Sequence, residues 1–346
     1  LSRSKERKSN MIRFAVIGTN WITEALIQAA RLHPQFALTA VYSRTEEKAR
    51  AFASKFDIPH TYTDVQAMAQ SDTFDAVYIA SPNSYHAEQA ILLMNHGKHV
   101  LCEKPIASNT AELQAMIAAA RSNNVLLMEA LKSTLLPNFQ AIREHLYKIG
   151  PIRRYFASYC QYSSRYDAFK EGTVLNAFNP VYSNGALMDL GVYCIYPMAV
   201  LFGSPNEVKA EGVLLSSGVD GEGSLIVKYD EMDGVIMYSK ITHSELPSEI
   251  QGERGTLVID KISSPDKVEI RYRDGYVEEI TRPQNGAAMY YEVEEFIRIL
   301  NSGARESATN SFAHSMAAME IMTEARRQMG LVYPADMKSQ GGSIHA

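Results

Sequence analysis

The sequence predicts an α/β protein in which an N-terminal doubly wound parallel sheet is followed by an α/β domain with a mostly antiparallel open sheet. Two patterns and the length carry that expectation. From Ile12 to about Glu129, short apolar runs alternate with segments of helical period, the mark of βαβ units. The runs are continuously apolar, as strands are when helices cover both faces of a sheet. After about Pro137, β-rich runs succeed one another across short turns, which favours antiparallel pairing. The 346 residues suit about two domains.

In the first part, strands are expected at Ile12–Ile17, Leu38–Ser43, Ala76–Ile79, His99–Cys102 and Leu126–Glu129. Helices are expected at Trp21–Leu32, Thr45–Lys55, Tyr85–His96 and Thr110–Asn123. A further helix over Asn138–Tyr147 ends at the Gly150-Pro151 breaker. Strands then follow at Ile152–Gln161, Glu207–Leu215, Gly223–Tyr229, Val235–Ile241, Thr256–Asp260, Lys267–Arg273 and Tyr276–Thr281, with Asp233-Gly234 and Asp274-Gly275 read as hairpin turns. A helix from Ala186 to about Leu201 interrupts this run, and helices over Met289–Leu300 and Asn310–Met329 close the chain. The implied division is a leader or disordered arm at 1–10, a first domain at 11–130, a second at 131–335 and a tail at 336–346.

With 34 Lys and Arg against 39 Asp and Glu, the net charge is −5. That leaves no basic footprint for nucleic acid. No stretch of roughly 18–20 apolar residues marks a membrane span, and the first ten residues lack the apolar core of a signal peptide. Cys102, Cys160 and Cys194 have neither C-x-x-C nor metal-ligand spacing. Reduced thiols in a cytoplasmic protein, with no metal site, are the expectation.

Glu103-Lys104-Pro105 ends an apolar run. Pro105 cannot continue a strand, so Lys104 falls at the carboxyl edge of the parallel sheet, where such folds bind ligands. An ammonium there is a candidate acid/base. Gly18-Thr19-Asn20-Trp21-Ile22-Thr23 lies where a G-x-G-x-x-G dinucleotide fingerprint would. Only Gly18 of the three glycines is present; Asn20 tolerates left-handed backbone better than most residues, and the helix N-terminus still offers N–H groups to phosphate. At the tip of the second strand there is no carboxylate. Ser43, Arg44 and, one turn on, Lys48 favour a 2′-phosphate, and so NADP over NAD. Ser81-Pro82-Asn83 makes a third turn at the same edge, where Asn83 is placed to bond ribose or phosphate, and His86 starts the next helix.

The set Gly18…Thr23, Ser43-Arg44, Ser81-Pro82-Asn83…His86, Glu103-Lys104-Pro105 and Gly185-Ala186-Leu187-Met188-Asp189-Leu190-Gly191-Val192-Tyr193 resembles the Gfo/Idh/MocA oxidoreductases over about residues 11–335. Within that family it is most similar to the dihydrodiol and D-xylose dehydrogenase branch. The resemblance implies an N-terminal Rossmann domain for NAD(P), here at 11–130. It implies a C-terminal substrate and oligomerisation domain at 131–335, assembling a homodimer or homotetramer. It places the catalytic lysine on Lys104, the active-site aspartate on Asp189 and the acid/base on Tyr193. Glu103 joins the cofactor-binding group with Lys104, His86 and the edge residues above.

Asp189 and Tyr193 are four apart and would share one helix face. Gly185 and Gly191 would let chain and ligand approach closely. A neighbouring ammonium would lower the phenol pKa of Tyr193 from near 10. Weaker substrate candidates are Arg165, Asn179 and Tyr290. The expected activity is hydride transfer to or from a sugar, polyol or dihydrodiol-like secondary alcohol. The alternative from a different class is a nucleotide-binding sensor without turnover on the same fold.

Overall fold

A computed structural model describes residues 11–339; the expected arm at 1–10 lies outside them. The first sheet is parallel and six-stranded. Its strands are β1 (Ile12–Ile17), β2 (Phe36–Tyr42), β3 (His60–Tyr62), β4 (Ala76–Ile79), β5 (His99–Glu103) and β6 (Leu127–Ala130), in the order β3-β2-β1-β4-β5-β6. The order reverses between β1 and β4, which opens a crevice at their carboxyl ends. Helices α1 (Trp21–Ala30), α2 (Glu46–Phe56), α3 (Val65–Ala69), α4 (His86–Asn95) and α5 (Thr110–Ser122) connect the strands. Each of α1, α2, α3 and α5 begins on a side-chain cap, from Asn20, Thr45, Asp64 and Asn109 respectively. Such caps satisfy first-turn N–H groups.

After α6 (Pro137–His145) the second sheet gathers β7 (Ile152–Cys160), β8 (Glu207–Leu214), β9 (Asp220–Lys228), β10 (Asp233–Ser239), β11 (Ser248–Gly252), β12 (Gly255–Ile259), β13 (Val268–Tyr272) and β14 (Val277–Glu279). Their order is β14-β13-β12-β11-β7-β10-β9-β8, with β7–β10 the parallel pair and the others antiparallel. One face is covered by α8 (Val192–Phe202) and α10 (Phe312–Met329); Tyr155 on β7 bonds the Cys194 carbonyl. The helical stretch Pro180–Phe202 is in fact long and apolar enough to cross a membrane, contrary to the expectation that no such stretch exists. Its window is 78% buried within the fold, so its apolarity is that of a core helix.

Several expectations need correction. Asp233-Gly234 is not a turn: both residues pair within β10, and the chain reverses at Tyr229–Met232 instead. Asp274-Gly275 does turn, between β13 and β14. The strands β3 and β11 and the helices α3, α7 (Ser164–Lys170) and α11 (Pro334–Ser339) were not anticipated. β3 has three residues, and β11, Ser-Glu-Ile-Gln-Gly, gives the core only Ile250 as an apolar anchor. Helix α9 (Tyr290–Ser302) lies far beyond the expected boundary at 130, yet it packs on the parallel sheet: Phe296 meets Phe14 at 5.7 Å.

The boundary at 335 falls inside α11, because Asp336 is held by Arg326 at 2.7 Å and by Asn109 at 3.0 Å. Arg326, fully buried, also bonds the Ser108 carbonyl, and the Tyr333 hydroxyl donates to the Asn184 carbonyl. This C-terminal clasp therefore grips the loop after β5 and the chain just before α8.

Candidate active site

Lys104 leaves the end of β5 and its ammonium meets Asp189 twice. Nζ lies 2.8 Å from Oδ1 and 2.9 Å from the Asp189 carbonyl oxygen. It also sits 4.8 Å from the ring centroid of Tyr193, a cation–π distance. Asp189 lies in a π-helical turn, Leu187–Gly191, that runs into α8 at Val192. Such turns are frequent at functional sites. The turn starts where it does because the buried Asp220 carboxylate accepts from the Leu187 N–H at 2.6 Å. Gly185 is required beside it: φ is +146°, and a Cβ would lie 2.1 Å from Asp220 Oδ1. That glycine serves chain packing, not ligand approach. Burial raises the Asp220 carboxyl to about 6 against the pull of the Leu187 N–H.

The sequence reading missed a fourth member. Lys240, one residue past β10, is buried and reaches the other carboxylate oxygen, Oδ2, at 2.7 Å. Its ammonium also faces the Ala177 carbonyl at 3.4 Å and the ring of Phe178 at 5.2 Å. Burial would push Asp189 up, but Lys104 and Lys240 overcome it and hold the carboxyl far below the usual range. Burial likewise opposes the Lys104 ammonium, yet Asp189, Tyr193 and Glu103 raise its pKa above the ordinary value.

Tyr193 departs from expectation. Burial raises its phenol and outweighs the lowering by Lys104, so the hydroxyl keeps its proton. Tyr159 packs edge-on against it at 5.7 Å.

Behind Lys104 lies a group of buried acids. Glu103 accepts from the Tyr78 hydroxyl and from the Lys104 N–H; burial raises it, with Lys104 and Tyr78 opposing. Glu292 on α9 is 1% exposed, and burial with the neighbouring Glu103 pushes it well above the usual range. Glu129 accepts from the Ile106 N–H at 3.1 Å and is raised to about 7 by burial.

At the crevice, Gly18 follows β1 with φ +105°, and a Cβ there would lie 2.6 Å from the Ala80 oxygen. This close turn, leading into the N-terminus of α1, fits a dinucleotide pyrophosphate. Asn20, however, has extended backbone and not left-handed. Its oxygen caps Thr23 and its amide bonds the Ala80 carbonyl, so its side chain is spent on the turn. Thr19 and Ile22 are half-buried and Trp21 is 68% exposed. Ser43 is buried just past β2, while Arg44 and Lys48 stand exposed at the start of α2.

The third turn is less available than expected. Ser81 donates to Gln89, and the Asn83 amide donates to the Ser183 carbonyl at 2.9 Å, linking the crevice to the segment before α8. Pro82 is half-buried between them. His86 is fully buried, with its ring nitrogens 3.0 Å from the Pro105 oxygen and 2.9 Å from the Ser81 oxygen. It braces two loops and presents no nitrogen to a cofactor; burial lowers its pKa despite those carbonyls.

Tyr290 packs beside His33, with ring centroids 6.1 Å apart, just before β2. That is the amino edge of the sheet, opposite the crevice. The Asn179 oxygen caps Val181. Arg165 lies exposed on α7 and not in a loop.

Comparison with known proteins bears on the family and the fold. Residues 12–131 match the family described as "Oxidoreductase family, NAD-binding Rossmann fold", and residues 139–258 match the GFO/IDH/MocA C-terminal domain. The chain belongs to the GFO/IDH/MocA oxidoreductase family. Among its relatives, scyllo-inositol 2-dehydrogenase (NADP(+)) IolU of Bacillus subtilis is 61% identical over 94% of this chain and 99% of that protein. The trans-1,2-dihydrobenzene-1,2-diol dehydrogenase of Xenopus tropicalis is 32% identical over 86% and 91%. Levoglucosan dehydrogenase, solved with NADH and levoglucosan, superposes with a TM-score of 0.84 at 20% identity, covering 93% and 98% of the two chains, and so bears on the fold.

Proposed function

We propose that this GFO/IDH/MocA protein is an NADP-preferring dehydrogenase or reductase acting on a secondary alcohol of a polyol or sugar, with inositols the first substrates to try. The observation that carries the reading is the Lys104 ammonium. It has three donors, of which two are fixed on Asp189. The third is left for a substrate oxygen.

When bound, a nicotinamide dinucleotide would supply or accept the hydride. Gly18, the first turn of α1, Ser43 and Arg44 would hold it, the last two at a 2′-phosphate. The chain's own residues handle the oxygen. In the reductive direction, Lys104 steadies the carbonyl oxygen by its free N–H. As hydride reaches the carbon, the O–H bond of Tyr193 breaks and its proton forms the new hydroxyl. In the oxidative direction the phenol first releases its proton to solvent, and the resulting phenolate takes the hydroxyl proton of the substrate as hydride leaves its carbon. Both Lys104 and Tyr193 hold their protons, which suits delivery of a proton to oxygen.

The 61% relative's name, with its NADP(+) and inositol, supports the cofactor and substrate class. The open face of the second sheet carries Phe156, Val235 and Ile226 side by side across β7, β10 and β9, with Ile226 54% exposed. We assign that face to a second copy of the chain, in a cytoplasmic homodimer or homotetramer.

The test is NADP⁺ reduction and NADPH consumption across inositols, pentoses, hexoses and cyclic diols. Turnover of at least one inositol or polyol with NADP is expected. Tight cofactor binding with no turnover on any member would overturn the reading in favour of a nucleotide sensor.

A further inference from the structure

The geometry points to Lys240 as a positioning residue that acts on the reaction through Asp189. The inference rests on the proposed roles of Lys104 and Tyr193. Lys240 itself cannot touch a substrate. Its side chain is 4% exposed, and its ammonium is committed to Asp189 Oδ2, the Ala177 carbonyl and the Phe178 ring. What it fixes is the carboxylate plane: with Oδ2 anchored at 2.7 Å by one lysine, Oδ1 must face the other at 2.8 Å.

It also sets the local charge. Lys104 and Asp189 alone would make a neutral pair, and the substrate oxygen gathers negative charge as hydride arrives at its carbon. Lys240 leaves the trio with one net positive charge beside that oxygen, and preorganised charge of this kind stabilises a transition state. It lies behind Asp189, so it competes with no substrate group for space.

A residue that merely filled volume would not govern the carboxyl. The charged and titratable groups around Asp189 come from four elements: Lys104 after β5, Lys240 after β10, Tyr193 on α8 and Tyr159 on β7. Asp220 and Glu103 stand next to the lysines.

The experiment compares parent, K240M, K240R, D189N and the K240M/D189N double variant. The first readout needs no cofactor: carbon-13 titration of the Asp189 carboxyl in the unloaded protein. K240M should raise its midpoint by about one unit or more, and K240R should restore most of the shift. The second readout is kinetic. K240M should lower kcat about ten- to hundredfold with KM changed less than about threefold, and should add almost nothing in the D189N background.

An unmoved Asp189 titration, or K240M losses that multiply with those of D189N, would overturn the role of Lys240. If K240M does not fold, K240R decides by the same titration: a midpoint close to the parent's supports the inference, and one raised by about a unit or more above the parent's overturns it. K104M, run alongside, separates the two readings. An active K104M overturns the proposed function itself, whereas an inactive K104M beside a fully active K240M overturns only this inference.

Discussion

The two ends of the crevice are built on opposite plans. At the chemical end, one carboxylate is held by two lysines, and the Lys104 ammonium is fixed a second time by the Asp189 backbone carbonyl. At the nucleotide end, Arg44 and Lys48 stand exposed beyond β2, and the turn itself is tied down by Gly18 and Asn20. Proton transfer needs groups fixed in advance, since misplacement there is costly. Recognition of a phosphate tolerates long side chains that order when the ligand arrives, at a cost in side-chain entropy. The difference teaches that substitutions at the first end should abolish turnover, and at the second should redirect cofactor choice.

The largest expected effect is K104M, which removes the ammonium from the substrate oxygen and leaves Asp189 to Lys240 alone. kcat/KM should fall by about 10³-fold or more, with NADPH affinity, read by fluorescence, far less affected. Y193F removes the proton source while leaving the ring that Lys104 faces. A loss of about 10²-fold in kcat is expected, and parental kcat would take Tyr193 out of the chemistry. S43D combined with R44A should move the NADP-to-NAD ratio of kcat/KM toward NAD by about tenfold. If the ratio stays put, the open end of the crevice does not read the 2′-phosphate and the contrast between the two ends weakens.

The smallest effect concerns stability. Glu129 titrates at about 7 in the folded protein against an ordinary 4.5. The folded state keeps a proton that the unfolded chain loses, so this group's contribution is present below about 4.5 and is lost as pH rises towards 7. Linkage puts the loss on the order of 3 kcal/mol. E129Q should flatten the dependence of denaturant midpoint on pH across that window, and an unchanged slope would mean that Glu129 is ionised in the folded protein.

What the sequence made legible follows chain-local chemistry. Glu103-Lys104-Pro105 located a lysine at a strand end, and Asp189 and Tyr193 stood in one motif; the fold brings all three together. Lys240 was invisible because it binds Asp189 across 51 residues, with no motif around it. His86, Asn83 and Asn20 were read as cofactor contacts from their polarity and position. Their atoms turned out to be engaged with Pro105, Ser183 and Ala80, and sequence reveals which donors exist but not which are already used. Tyr193 shows the limit for electrostatics: the nearby charge was anticipated, and the burial that outweighs it was not. Asp233-Gly234 has the composition of a turn, but pairing of β10 with both β9 and β7 decided its conformation.

The clasp of Arg326, Tyr333 and Asp336 has a consequence for biogenesis. Lys104 is synthesised early and Asp189 at mid-chain, while the residues that brace both of their loops come near the end of the described fold. A nascent polypeptide thus carries its reactive amine long before the frame around it exists, and the brace is complete only once α11, the last described helix, docks. Fusion partners or proteolytic trimming at that end would bear on turnover from a distance, without touching the crevice.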